Sequence, residues 1–354
     1  VIAGDERRLP YREPVEIAEL ETGARQLIDP TELSATYQTA VTQFLTRTHT
    51  GPAGERHYRL YVPAAGKPRA LILMLHGCNQ DPDDFATGTG MNTVAEAQGL
   101  LVAYPGQTGA DNAAACWNWF APAHQRRGAG EPAVLAGLAQ ELAADFGLAP
   151  DAVFVAGLSA GGAMAAVLGA AYPEVFAAVG VHSGLPVGAA SDVASAFAAM
   201  RGDAEPAADL NPAAARRTIV FHGSADTSVH PVNAARIVAS TMAAGAQVAH
   251  SEGRSAGGRR YRRTLHAAPE GGTAVEFWLV EGAGHAWSGG RAAGSFTDPS
   301  GPDAFGYYAY DNTDANYEMR PTYSYVNISS GLGTNLNLND TGEKTSISQV
   351  WSTV

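Results

Sequence analysis

The chain has 354 residues, a formal net charge of −12 and 45% hydrophobic residues, enough apolar material for a full globular core. The acidic balance argues against a nucleic-acid partner, because neutralising phosphates requires a basic face. No apolar run of about 18 residues is present to span a bilayer, and no metal or organic cofactor is called for.

Taken in order, residues 1–45 read as an N-terminal helical segment. Asp29 is placed as an N-cap, Pro30 at the first helical position and Glu32 to close a capping box. Leu33, Tyr37, Val41, Phe44 and Leu45 then form one apolar stripe. From Thr46 the pattern turns to β. His57–Val62 alternates up to Pro63, and Leu71–Leu75 and Leu100–Pro105 are continuous apolar runs of the kind buried on both faces. A helix is predicted over 132–146, a strand from Val153, a helix to Tyr172, and a strand over Ala177–Val181. Strands at Thr218–Phe221 and Val275–Val280 follow, with a helix over 232–244 between them. Strands alternating with helices specify the α/β class, a mostly parallel sheet with helices on both faces.

Arg259, Arg260, Arg262 and Arg263 form the one basic cluster, which reads as a solvated edge strand. Near Phe305 the composition shifts to Asn, Tyr, Thr and Ser, so residues 306–354 read as an appended β-like or flexible segment, and 46–305 as the catalytic domain. Asp311, Asn312 and Asp314 read as a polar turn rather than a calcium site. The first residue is Val rather than Met, which leads to the expectation of a processed chain whose targeting segment is gone.

The chemistry centres on Gly157-Leu158-Ser159-Ala160-Gly161, where a buried strand breaks, presents a serine between small residues and passes into a helix. A second match, Gly253–Gly257 around Ser255, follows a polar stretch, so it has neither the buried strand before it nor the helix after it, and reads as loop. A serine hydroxyl needs a base, and the base needs an acid to hold its tautomer. Asp226 follows the strand Thr218–Phe221, whereas Asp192, Asp203 and Asp209 read as surface carboxylates. His285 sits on the Gly-rich turn after Val280, whereas His182, His222, His230 and His266 read as loop or core histidines. The oxyanion needs two amides: that of Ala160, after the serine, and one from the loop His76–Gln80, for which Cys78 is the choice. Cys78 and Cys116 permit one intramolecular disulfide, though two free thiols are equally compatible with composition.

Five motifs occur in one order: His76-Gly77-Cys78-Asn79-Gln80, Cys116-Trp117-Asn118-Trp119-Phe120 with Gln125–Gly128, Gly157–Gly162, His222–Asp226 and Gly284–Gly290. Together, over residues 46–304, they resemble the poly(3-hydroxybutyrate) depolymerase family of esterases, whose wider group includes feruloyl and acetylxylan esterases. The resemblance implies a secreted α/β-hydrolase with Ser159, Asp226 and His285 as triad, Cys78 and Ala160 as oxyanion donors, and a Cys78–Cys116 disulfide. It also implies a cleft lined by aromatics, with Trp117, Trp119 and Trp287 as candidates. The expected substrate is a polyester or a small ester, met by a monomer without membrane or nucleic-acid partners. A cell-wall feruloyl or acetyl ester is the alternative substrate, and a serine peptidase is a remoter reaction. A non-catalytic binding protein on this scaffold would usually lack a triad member, and all three are present.

Overall fold

The computed structural model describes residues 43–64, 66–203, 217–242, 246–267 and 273–304. The capped helix expected from Asp29 and the segment 306–354, with Asp311, Asn312 and Asp314, lie outside the described residues, as does Asp209.

The hairpin β1 (Gln43–Gly51) and β2 (Gly54–Val62) opens the sheet. Phe44 and Leu45, expected on the N-terminal helix, are therefore strand residues. β3 (Ala70–Leu75) leads into two short helices, α1 (Pro82–Thr89) and α2 (Met91–Gln98), and then β4 (Leu100–Pro105). α3 (Gly130–Asp145), β5 (Val153–Leu158), α4 (Ala160–Ala171), β6 (Ala178–His182), α5 (Val193–Arg201), β7 (Arg217–Gly223) and α6 (Val232–Thr241) follow. The chain then forms β8 (Val248–Arg254), β9 (Arg260–Ala267) and β10 (Thr273–Val280), and a small parallel pair, β11 (Trp287–Ser288) and β12 (Thr297–Asp298).

The large sheet has the order β1-β2-β4-β3-β5-β6-β7-β10-β9-β8. β4, β3, β5, β6, β7 and β10 are parallel neighbours, and an antiparallel hairpin closes each end. Every residue of β3, β4 and β5 is buried, as the continuous apolar runs require of strands covered on both faces. Alternate side chains serve opposite layers. Leu71, Leu73 and Leu75 pack with Leu135, Leu138 and Leu168 of α3 and α4. Ile72 and Met74 pack with Phe85, Met91 and Val94 of α1 and α2. Each such side chain contributes about 1.5–3 kcal/mol by leaving water.

The arginine cluster is not an edge. β9 lies between β10 and β8, and its charges are met in place: buried Arg263 donates to buried Glu276 at 2.5 Å, and Arg260 and Arg262 both reach Glu281. Asp192, read as a surface carboxylate, is the N-cap of α5, in a capping box with Ser195. Among the described residues no helix is long and apolar enough to cross a membrane. Because the six central strands run parallel, the loops after β3, β5, β7 and β10 emerge at one edge of the sheet, where ligands of open α/β sheets bind.

Candidate active site

Ser159 stands between β5 and α4 with φ 58° and ψ −119°, a conformation that costs about 1–3 kcal/mol and is held only by its surroundings. Its amide donates to the His182 carbonyl at 2.9 Å. The flanking glycines are sterically required: a Cβ on Gly161 would lie 2.0 Å from the Leu75 carbonyl oxygen, and one on Gly157 would lie 2.4 Å from the Gly161 carbonyl carbon.

Asp226, in the turn after β7, is buried. Its Oδ1 accepts the amides of Ser228 and Val229, each at 2.9 Å, and its Oδ2 accepts from His285 Nδ1 at 2.7 Å. A carboxylate facing Nδ1 fixes the proton there and leaves the Nε2 lone pair of His285 for a hydroxyl. His222 adds a second contact. Its Nε2 faces the Val229 carbonyl at 2.8 Å and Asp226 Oδ2 at 3.3 Å, both acceptors, so Nε2 carries the proton. Burial pushes the Asp226 carboxyl up, but the hydrogen bonds from His222, His285 and Val229 outweigh it and hold the group far below the usual carboxylate range.

His182, weighed above only as a loop or core histidine, is the common anchor of the site. It ends β6, between the serine strand and the Asp226 strand, and its carbonyl holds the Ser159 amide. Its Nε2 accepts the Ser288 amide at 2.9 Å, its Nδ1 faces Ser183 Oγ, and its ring stacks on Trp287 and Phe221. One residue thus ties the serine turn to the loop carrying His285. His230 caps the start of α6 by accepting the Val232 amide, and His266 is buried on β9. Ser255 lies in the β8–β9 turn, where its hydroxyl is bonded to the Ser300 carbonyl.

The loop after β3 is braced from several sides. Gln80 Oε1 accepts the Gly77 amide at 2.9 Å, and Asn79, itself at φ 60°, donates its amide to the Ala114 carbonyl at 2.8 Å. A Cβ built on Gly77 would lie 3.5 Å from that of Ser159, so the loop borders the serine directly. The amides of Cys78 and Ala160 have no protein acceptor among the described residues. Cys78 is disulfide-bonded to Cys116, with Cα atoms 4.2 Å apart. Behind the bridge lies a polar network that sequence reasoning missed. Buried Glu131 accepts from Gln107 Nε2 and from the Asn118 amide and side chain, and buried Arg56 donates to Gln107 Oε1 and Asp111. Glu131 stands in the first turn of α3, where an acidic residue is ordinary, so the sequence carried no distinct signal of this role.

The aromatic cleft expected from Trp117, Trp119 and Trp287 is not what the structure holds. Their relative exposures are 0%, 6% and 1%. Trp117 donates its indole N–H to the His76 carbonyl at 3.1 Å, and Trp287 packs edge-on against Phe85. Their bulk is spent on the core and on bracing the loops.

The buried histidines make the fold acid-sensitive. Burial, followed by the nearby His222 and His285, lowers the His182 pKa to about 3, and burial likewise lowers that of His76. Each holds its proton less readily in the fold than in the unfolded chain, where it protonates below about pH 6.5, so unfolding takes up protons and stability falls as the pH is lowered. For His182 the unfolding free energy is expected to drop by about 1.4 kcal/mol per pH unit between pH 6 and 4, and His76 adds to the loss in the same direction. Urea unfolding across that range checks this, and the slope of the His182→Gln variant should be smaller by one residue's share. A slope unchanged by that substitution would refute the assignment.

The mostly parallel sheet with a serine on a strand–helix elbow at its carboxyl edge defines an α/β-hydrolase. The same architecture is found in the acetyl xylan esterase from Aspergillus awamori, with a TM-score of 0.58 at 21% identity over 69% of this chain and 94% of that one. Within that class, the chain belongs to the family described as Esterase PHB depolymerase, whose sequence model matches residues 56–263. It is 30% identical over 242 residues to the poly(3-hydroxyalkanoate) depolymerase C of Paucimonas lemoignei, covering 64% of this chain and 57% of that protein. It is 33% identical over 175 residues to the feruloyl esterase B of Neurospora crassa, covering 49% of this chain and 58% of that protein. The chain thus spans somewhat over half the length of these two curated relatives.

Proposed function

We propose that the chain is a secreted serine carboxylic-ester hydrolase that cleaves a polyester of hydroxyalkanoate type, or its oligomers, through an acyl-enzyme. The observation that carries the reading is the Asp226–His285 hydrogen bond at 2.7 Å, in a loop that His182 ties to the strained Ser159 turn. In this reading Ser159 Oγ attacks the ester carbonyl while His285 Nε2 takes its proton, and Asp226 steadies the resulting imidazolium. The amides of Cys78 and Ala160 receive the oxyanion. The imidazolium then protonates the departing alcohol, and water, deprotonated by His285, releases the acid and restores the serine. Catalysis is assigned to residues 46–305. The Cys78–Cys116 bridge supports an oxidising, extracellular setting. The preference for a polyester rests on the likeness to the poly(3-hydroxyalkanoate) depolymerase of Paucimonas lemoignei.

Product release from polyhydroxybutyrate film, methyl ferulate, acetylated xylan and p-nitrophenyl acetate tests the substrate. Hydroxybutyrate oligomers from the film are the expected products. Ferulate or acetate release without polymer products would move the enzyme to plant cell-wall esters.

A further inference from the structure

We infer that Phe296 is the apolar platform on which the substrate's acyl chain rests beside the scissile ester, an inference that builds on the hydrolase reading above. With the three tryptophans buried, the exposed large hydrophobic side chains among the described residues are Val193, Phe197, Val248 and Phe296. A scattered apolar side chain on the surface needs no explanation. Phe296 is different on three counts.

It is 45% exposed on a backbone with φ 51°, the left-handed region that a bulky side chain rarely adopts. The surrounding bonds fix that conformation. The Phe296 carbonyl accepts the Trp287 amide at 2.6 Å, the next residue pairs with Trp287 in the β11–β12 bridge, and the Ser295 amide donates to Asp84 of α1 at 2.9 Å. Gly294 lies so flat on α1 that a Cβ there would come within 2.2 Å of Gly88 Cα. Strain that its surroundings over-determine is characteristic of ligand clamps and active sites.

The third count is location. Gln80 holds the Gly77 amide with its Oε1 and donates its Nε2 to the Ser295 carbonyl at 3.2 Å, joining the loop that borders Ser159 to the residue before Phe296. From the other side, Trp287 holds Phe296 two residues beyond His285. The phenyl ring is therefore carried on a rigid strap that is bonded both to the loop beside the serine and to the histidine loop. Asp84 of α1 is engaged by Ser295 and Gln80, and Asp298 of β12 by Arg259 and Ser300, so the exposed ring of Phe296 offers an apolar face. Such a face suits the methyl and methylene groups of a hydroxyalkanoate chain, and an acetyl group is too short to use it.

The test compares parent, Phe296→Asn and Phe296→Tyr. Asn tolerates left-handed backbone, and Phe296→Gly replaces it should that variant fail to fold. With an active parent, the ratio of kcat/KM for p-nitrophenyl octanoate to that for p-nitrophenyl acetate decides. Phe296→Asn is expected to lower this ratio about tenfold, through KM, with acetate hydrolysis within twofold of the parent. Phe296→Tyr is expected to restore it. An unchanged ratio, whether both rates hold or both fall, overturns the proposal. Should the parent hydrolyse neither ester, the hydrolase reading itself fails, and adsorption of parent and Phe296→Asn to polyhydroxybutyrate film then decides. Weaker adsorption of the variant sustains the platform, and equal adsorption overturns it.

Discussion

Replacing Ser159 by alanine is expected to lower kcat on any ester the parent hydrolyses by about 10⁴-fold or more, with the melting temperature within a few degrees of the parent's. The substitution removes only Oγ. The Cβ that must tolerate φ 58° is retained, as is the amide bonded to His182, so the turn and its strain are unchanged. In the proposed reading nucleophile and base act as one unit, so Ser159→Ala combined with His285→Ala should cost no more than the serine change alone. Steady-state hydrolysis of p-nitrophenyl acetate, normalised to folded protein by circular dichroism, provides the measurement. Activity within tenfold of the parent would remove Ser159 from the chemistry. His182 offers no substitute as base, because both of its ring nitrogens face partners, and His222 Nε2 is committed to Val229 and Asp226.

The parts of this arrangement that were legible in the sequence share one physical feature. Ser159, Asp226 and His285 each stand among small residues that mark a turn, just after a short, mainly apolar run that reads as a strand. Local pattern therefore gave the parallel strands and the turns after them. It failed where the decisive partner is distant in sequence. Phe44 and Leu45 extend an apolar stripe at helical spacing, yet pairing with Tyr61 and Leu60 draws them into β1, because a strand edge was available there. α1 and α2 are eight residues each, too short for a periodic stripe, and they owe their ends to Asp81, Gly90 and Gly99. The arginines of β9 look solvated until Glu276 and Glu281 are brought alongside by the pairing with β10. The tryptophans show the same limit, since a motif reveals that an aromatic is needed without revealing whether its face meets solvent or core. The anchoring role of His182 rests on Ser288, more than one hundred residues away, and no local signal encodes it.

Opening the Cys78–Cys116 bridge is expected to cost both stability and turnover, and the two losses can be separated. The bridge closes a segment with a sequence separation of 38 residues. On the chain-entropy account such a loop contributes about 4 kcal/mol, equivalent to roughly 8–16 °C in melting temperature for a domain of this size. The Cys78→Ser/Cys116→Ser variant should therefore melt that much lower. Turnover is a distinct matter, because the bridge joins a residue whose amide is proposed to receive the oxyanion to the segment held by Trp117, Asn118 and Glu131. Loss of one oxyanion donor typically costs about 10²–10³ in kcat. A loosened donor should cost less, about tenfold, measured well below the variant's own melting temperature. Ser159 and the Asp226–His285 pair are untouched by the change, so KM for a short ester should hold while kcat falls. A variant that melts lower but turns over at the parental rate would confine the bridge to stability and leave Gln80 and the Asn79–Ala114 bond as sufficient to aim the loop. A variant that matches the parent in both would mean that the polar network around Glu131 fixes the loop without the covalent link.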